Sequence, residues 1–401
     1  MAKYLRLFDE HTDYEAAESS LVLPNVSFCL DTPNDVHYKP YTPPALVVKF
    51  DVTDTSSPTT IANKTSGFNS IEIDGVVQPS VVTEYTFPTT GEHTVKYTLT
   101  DETIIGNSAF TECYKITSIV IPDSVKTIGY YAFSSCSRLT SCTIGSGVTN
   151  IGTCAFNQCR NLTSIDIPDS ITSIGTYAFQ YCRSLTSVNI GSGVINIGNF
   201  AFANCSGLTS IVIPDNVTSI GSGMCSGCTN LTSCTIGSGV TSIGKSAFRN
   251  CSGITSIVIP DSVTSIGNNT FTSCYSLTSC TIGSGVTSIN SQTFAYCSGL
   301  TSINIPDSVT RIEIQAFDDC DALASVTIGS GVTYIGDASF GRCDGLLTII
   351  SKATDAPTIF NSFLYVRKGG TLYVPVGSRD SYNNKWGSDL LSSYEWTLEE
   401  Q

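Results

Sequence analysis

The chain has 401 residues, of which 13% are charged, and its 34 Asp and Glu against 20 Lys and Arg give a formal net charge of −14. A nucleic-acid binder needs a basic stripe to neutralise phosphates, so this balance excludes that class of partner. The acidity is uneven: residues 1–103 hold 15 acidic and 6 basic groups, and residues 104–345 hold 13 and 9.

The opening stretch, MAKYLRLFDEHTD, carries charges throughout and lacks the apolar run of a secretory signal. Synthesis in a reducing compartment is therefore expected. His11, Cys29 and His37 could in principle share a metal, but surface or satisfied core residues are the preferred reading, and no metal or cofactor is expected. Residues 1–44, containing KYLRLFDEHTDYEAAESSLVLPNVSFCLDTPNDVHYKPY, are read as an attachment segment. They are similar to N-terminal segments of phage and prophage proteins of gut anaerobes. That similarity implies a virion protein anchored through this end and reaching the outside by lysis.

Residues 45–103 contain the alternating runs ALVVKFDV, SIEIDGVV, TEYTFPTT and HTVKYTLT, separated by Gly, Pro, Asn and Thr. They read as a small β-sandwich that caps the repeats beginning at residue 104. FPTTGEHTVKYTLTD resembles the closing strands of immunoglobulin-like or polycystic-kidney-type domains. Residues 1–103 could also carry homo-oligomer contacts or virion attachment.

From residue 104 to 345 the chain repeats itself every 23 residues. Cysteine recurs eleven times in one register from Cys113 to Cys343, and ten of the eleven positions three residues earlier are Phe, Cys225 being the exception. Within a unit, Leu-Thr-Ser-Ile-x-Ile alternates as a short strand does, and Ile-Gly-x-x-Ala-Phe-x-x-Cys spaces its apolar residues as about one turn of helix or 3₁₀ does. One unit cannot bury its stripe alone. Stacked units can, so the fold class expected is mainly β with short helical turns, a solenoid of about eleven coils. The repeat resembles the BspA-like leucine-rich repeat family, which implies a solenoid used in adhesion. Departures from the pattern are Met224-Cys225 for Ala-Phe, and Asn290 and Glu313 where Gly is expected; looser or differently capped turns are predicted there.

Adjacent units also differ: PDS or PDN starts at Pro122, Pro168, Pro214, Pro260 and Pro306, and GSG at Gly145, Gly191, Gly237, Gly283 and Gly329. The true unit is therefore 46 residues, a duplicated pair of coils in which Gly is expected to leave room beside each Pro ring. Asp123, Asp169, Asp215 and Asp261 recur on alternate coils, on the order of 10 Å apart, too far to share a Ca²⁺. They are read as turn residues bonded to their own backbone.

Of 17 cysteines, eleven share the register and Cys142, Cys234 and Cys280 replace strand Ile or Val. Buried free thiols are expected, Cys225-x-x-Cys228 included, in place of disulfides or a redox pair. The histidines all precede the repeats, and there is no nucleophile elbow or phosphate loop, so no catalysis is expected. The uncharged stretch Ser184–Pro214 is rich in Ser, Asn and Gly and keeps the register, so no membrane span is predicted.

Two surfaces could bind. The outward strand positions form a serine row that includes Ser164 and Ser187, beside a second row that includes Asp166, Asn189 and Asn304. The segment after Ile-Gly carries aromatics the repeat does not require: Tyr130, Tyr131, Tyr177, Tyr181 and Phe200. Good solvent-facing strand residues, and aromatics that pack on one another, are the competing structural readings. The chain ends in a segment, 346–401, whose GTLYVPVGSRDSYNNKWGSDL resembles the terminal cap of BspA-like arrays, with Trp386 and Trp396 available to cover the last coil. The expectation is a non-catalytic recognition solenoid, carried on a virion, that engages a host-surface glycan or protein. A bacterial cell-surface adhesin or a structural spacer are the alternatives.

Overall fold

A computed structural model describes residues 26–32, 35–40 and 43–401. The chain divides into two compact units, 1–44 and 45–401. In the first, β1 (Val26–Thr32) and β2 (Asp35–Pro40) form an antiparallel hairpin that sets Cys29 opposite His37. His11, and most of the expected attachment segment, lie outside the described residues.

The second unit begins with β3 (Ala45–Val52), β4 (Thr59–Thr60), β5 (Phe68–Ile73), β6 (Val76–Val77), β7 (Glu84–Tyr85) and β8 (Gly91–Leu99). β3, β8, β5 and β6 form one antiparallel sheet, and β4 pairs only with β7. The larger sheet runs straight into the repeats: β3 pairs antiparallel with β10 (Ile116–Val120) of the first coil, which pairs parallel with β12 (Ser141–Thr143) of the next. Residue 103 is therefore no structural boundary. Buried Tyr97 donates its hydroxyl to the Ile61 carbonyl at 2.6 Å, and its ring meets Phe110 edge-on at 5.0 Å, so this sheet closes the start of the apolar column. His93 is also buried, held between Asp74 (2.6 Å) and the Thr89 carbonyl (2.8 Å), which makes it a satisfied structural residue.

Each coil then contributes one strand to a long-strand face and two residues to a second parallel ladder that starts at β9 (Ile104–Ile105) and β11 (Thr127–Ile128). Alternation puts Ile119, Ile165 and Ile211 inside with almost no exposure and leaves Ser164, Asp166 and Val212 in solvent. Opposite the strands, Phe110, Phe133, Phe156, Phe179 and Phe202 stack 5.3–5.4 Å apart in a column. Beside the column the register thiols from Cys136 onward donate to a carbonyl of the preceding coil, as Cys159 does to Phe133 at 3.2 Å. The column breaks at Cys225 and resumes at Phe248. Met224, where the repeat has Ala, and Cys225, where it has Phe, are both fully buried there.

The second half of the coil is a chain of tight turns with bonds three residues back, the 3₁₀ spacing read from the sequence, and not a continuous helix. Alternate amides split their work. Ala132 and Ser134 donate three residues back, whereas Tyr131, Phe133 and Ser135 donate to the next coil, with Tyr131 and Ser135 at φ 55° and 61°. Turning every second N–H along the solenoid requires left-handed residues at two places per coil, which a continuous helix cannot supply.

Of the irregular glycine positions, Glu313 keeps the usual amide bond, to Ile289 at 2.8 Å. Asn290 replaces it with a side-chain amide donated to Ile266 at 2.6 Å. The second ladder is interrupted there, between Ser265–Ile266 and Ser288–Ile289.

The repeats also continue past the predicted end. Phe363 stacks on Phe340 at 5.4 Å and Trp386 covers Phe363 at 5.2 Å. Strands Thr348–Ser351, Thr371–Val374 and Thr397–Glu400 extend the long-strand face, for about thirteen coils in all. Helix α1 (Arg379–Trp386) closes the second ladder: Trp386 donates its indole N–H to Pro357 and Lys385 its ammonium to Ala356. Trp396, the other predicted covering residue, donates to Arg367 at 2.9 Å.

Candidate recognition surface

The alternation of PDS and GSG is a device for joining coils. Asp123 does not bond its own turn, as expected from sequence; its Oδ1 accepts from the backbone N–H (2.7 Å) and hydroxyl (3.0 Å) of Ser146 on the next coil. The same clasp recurs at Asp169–Ser192, Asp215–Ser238 and Asp261–Ser284, and through the backbone N–H at Asp307–Ser330. The Ser284 and Ser330 amides hold the Asp261 and Asp307 carboxyls below the usual carboxylate range. The glycines leave room, but against the preceding carbonyl and not the proline ring: a Cβ at Gly145 would sit 2.6 Å from the Pro122 carbonyl oxygen, and one at Gly147 would collide with that of Asp123.

Going from a Gly coil to the next Pro coil, the join is looser. Gly191 donates its N–H to Ile167 of the preceding coil at 2.9 Å, a bond that Pro168 cannot make. Strand bridges accordingly form from each Pro coil to the following Gly coil, as in Ser164–Ile167 with Ser187–Ile190. The amide bonds leading into the strands measure 2.9 Å on that step (Thr140 to Thr117, Thr186 to Thr163) and 3.2–3.3 Å on the other (Thr163 to Thr140, Thr209 to Thr186). Side chains compensate: Ser170 donates to the Val148 carbonyl at 2.6 Å and Asn216 to that of Ser192 at 2.7 Å. Ser124, on the first such coil, is left with a buried hydroxyl that has no partner among the described residues.

These bonds decide which hydroxyls are free. Thr140, Thr163, Thr186 and Thr209 spend theirs on carbonyls of the preceding coil. Ser164, Ser187, Asp166, Asn189 and Asn304 are exposed, and no hydrogen bond to another described residue occupies them. Strand register places Ser164 beside Ser187 and Asp166 beside Asn189; Asn304 lies far along the array, beside Thr327. A groove of 370 Å³ crosses three consecutive coils, lined by Cys142–Ile144, Asp166–Asp169 and Asn189–Ser192. It brings Asp166 and Asn189 together with Asp169, Pro168 and Ser192, which sequence reasoning had left out of the site. Their signal was present in the pattern: they flank the one coil pair where the second outward row reads Asp-Asn in place of Val-Thr.

The aromatic edge is a different part of the coil. Tyr177 and Phe200 are half-buried and stack at 5.2 Å, and the Phe200 ring fills the space over Gly223, so they pack on themselves. Tyr181 is half-buried with the Arg183 guanidinium 5.8 Å from its ring centre. Tyr130 and Tyr131 are exposed and meet edge-on at 6.2 Å. None of the five lines the groove.

The thiols offer little chemistry. Burial pushes Cys113 up to about 12, and burial, with Cys228 adding to it, does the same to Cys234, away from the thiolate that reacts. Cys225 and Cys228 are free and fully buried. Among the described residues no cluster of His, Cys, Asp or Glu suits a metal, and no helix is long and apolar enough to cross a membrane.

None of the curated proteins matches the chain. Three solved structures are similar to it: a leucine-rich repeat protein from Bacteroides ovatus (23% identity, 94% of this chain and 99% of that one, TM-score 0.46), the pneumococcal vaccine antigen PcpA (20%, 75% and 84%, 0.49) and a leucine rich cell surface protein from Faecalibacterium prausnitzii (26%, 82% and 94%, 0.39). The family described as BspA type leucine rich repeat region matches residues 103–232 and 218–347, in six copies. With that match over more than half its length, and a Phe and Cys column built on the 23-residue beat, the chain belongs to the BspA type leucine-rich repeat family.

Proposed function

We propose that this chain is a non-catalytic recognition solenoid of the adhesion kind, which engages a glycan or protein on a host surface through its long-strand face. The observation that carries the reading is the division of labour among polar groups: Thr hydroxyls and Asp carboxylates join coils, while the two outward strand rows remain exposed and unspent. A sheet of short hydroxyl and amide side chains suits many weak hydrogen bonds. The absence of histidine from the repeats and the raised thiols leave such a face without a general base of that kind or a thiolate nucleophile. The similarity of residues 1–44 to phage and prophage segments favours display on a virion; a bacterial cell surface is the second location the family resemblance supports.

The test is binding of the labelled full chain to intact gut anaerobic bacteria and to a glycan array. Saturable binding that a Tyr130→Ala, Tyr131→Ala variant retains is expected. Failure to bind any cell or glycan would leave a structural spacer as the better account.

A further inference from the structure

We infer that the groove at Asp166 takes a protonated amino group, so that the glycan recognised carries free amino sugars. This rests on the recognition reading above and names its ligand class. The repeats serve as their own control. At the position of Asp166 the other Pro coils carry Val120, Val212, Val258 and Asn304, and at the position of Asn189 the other Gly coils carry Thr. The fold therefore needs neither residue. Yet both departures fall on paired strands and open onto one groove.

The charge of that groove is one-sided. Asp166 and Asp169 are its only ionisable lining residues apart from the Cys142 thiol, which burial raises far out of range, and no Lys, Arg or His balances them. Asp169 spends Oδ1 on Ser192, and among the described residues none bonds to its Oδ2 or to the Asp166 carboxylate. Two carboxylates without a counter-charge favour a cation, and the ammonium of an amino sugar can donate to a carboxylate oxygen there or to the Asn189 amide oxygen. The rest of the lining is hydroxyl and short aliphatic, with no aromatic or arginine of the kind that anchors a protein partner. A volume of 370 Å³ is at the lower end of small-ligand sites and suits a short stretch of sugar rings.

The experiment is calorimetric titration of the full chain at about pH 6, where the amines are charged. Its probes are a β-linked glucosamine hexamer, the fully N-acetylated hexamer and oligolysine, with wild type and an Asp166→Asn, Asp169→Asn variant at low and high salt. Asn occupies the first row naturally at Asn304, and at 169 it keeps an oxygen to accept from Ser192, so folding is preserved. The glucosamine hexamer is expected to bind at least about tenfold more tightly than the acetylated one, to weaken by about tenfold in the variant, and to weaken with salt. Equal affinity for the two hexamers, an unaffected variant, or no binding of the glucosamine hexamer would overturn the inference; so would tighter, Asp-dependent binding of oligolysine. Binding of the acetylated or other neutral glycans in those cases would leave the recognition reading standing.

Discussion

The step from a Pro coil to its Gly coil and the step from that Gly coil to the next Pro coil join the same two kinds of surface by different means. The first uses a full strand bridge, a backbone N–H from glycine and the aspartate clasp; the second loses the proline N–H, lengthens its amide bonds and relies on a serine hydroxyl or an asparagine amide. The difference shows that one 23-residue coil can be joined to its neighbours in two ways. The groove at Asp166 spans both kinds of join, lined by the coils of Cys142, Asp166 and Asn189.

Behind both steps runs the aromatic column, which stacks alike across either kind of join, and breaking it should have the largest effect. Phe156→Ala is expected to cost about 3–5 kcal/mol in urea unfolding, because a fully buried ring stacked on both sides leaves a cavity. Next is the tight step. Gly193→Ala drives a Cβ into the Asp169 carbonyl and should cost about 1–3 kcal/mol, whereas Ser170→Ala, on the looser step, removes one hydrogen bond and should cost about 1 kcal/mol. Equal losses for these two would erase the distinction between the joins.

Acid offers a gentler probe of the clasp. Asp261 and Asp307 are held below the ordinary carboxylate pKa, so their contribution is present above that value and disappears as pH falls through the depressed one. Asp261→Asn with Asp307→Asn should therefore lower stability near neutrality and flatten its fall below about pH 4, the difference from wild type shrinking as the pH drops. The smallest effect belongs to the outer face: Ser164→Ala and Ser187→Ala should each stay within about 0.5 kcal/mol of wild type, since neither hydroxyl bonds to another described residue. Native-state alkylation should also spare the column thiols, Cys113 and Cys274 among them, until the protein unfolds.

Much of this was legible in the sequence because a repeat states its core many times over. The Phe and Cys beat located the column, the strand and the free buried thiols without a structure. What escaped were features that depend on which neighbour a group meets. Asp123 looks like a turn former in one dimension, and only stacking reveals Ser146 as its partner. The last coils were hidden because Val366 stands where Cys was expected, although Phe363 and Trp386 keep the 23-residue beat. At the other end, the alternating runs announced strands but not that β3 would pair with β10 and fuse cap to solenoid. The groove was half visible: Asp166 and Asn189 stood out from the array, while Asp169 was assigned to its own turn.

The proposed recognition role requires that Asp166 and Asn189 serve a ligand and not the fold. The direct measurement gives those two positions the array's own residues, Asp166→Val with Asn189→Thr, and reads urea unfolding and binding to the glycans or cells recognised by wild type. An unchanged unfolding midpoint with binding reduced by about tenfold or more is the result the account requires. A variant that binds as wild type does, or that loses binding only because it unfolds, would contradict it.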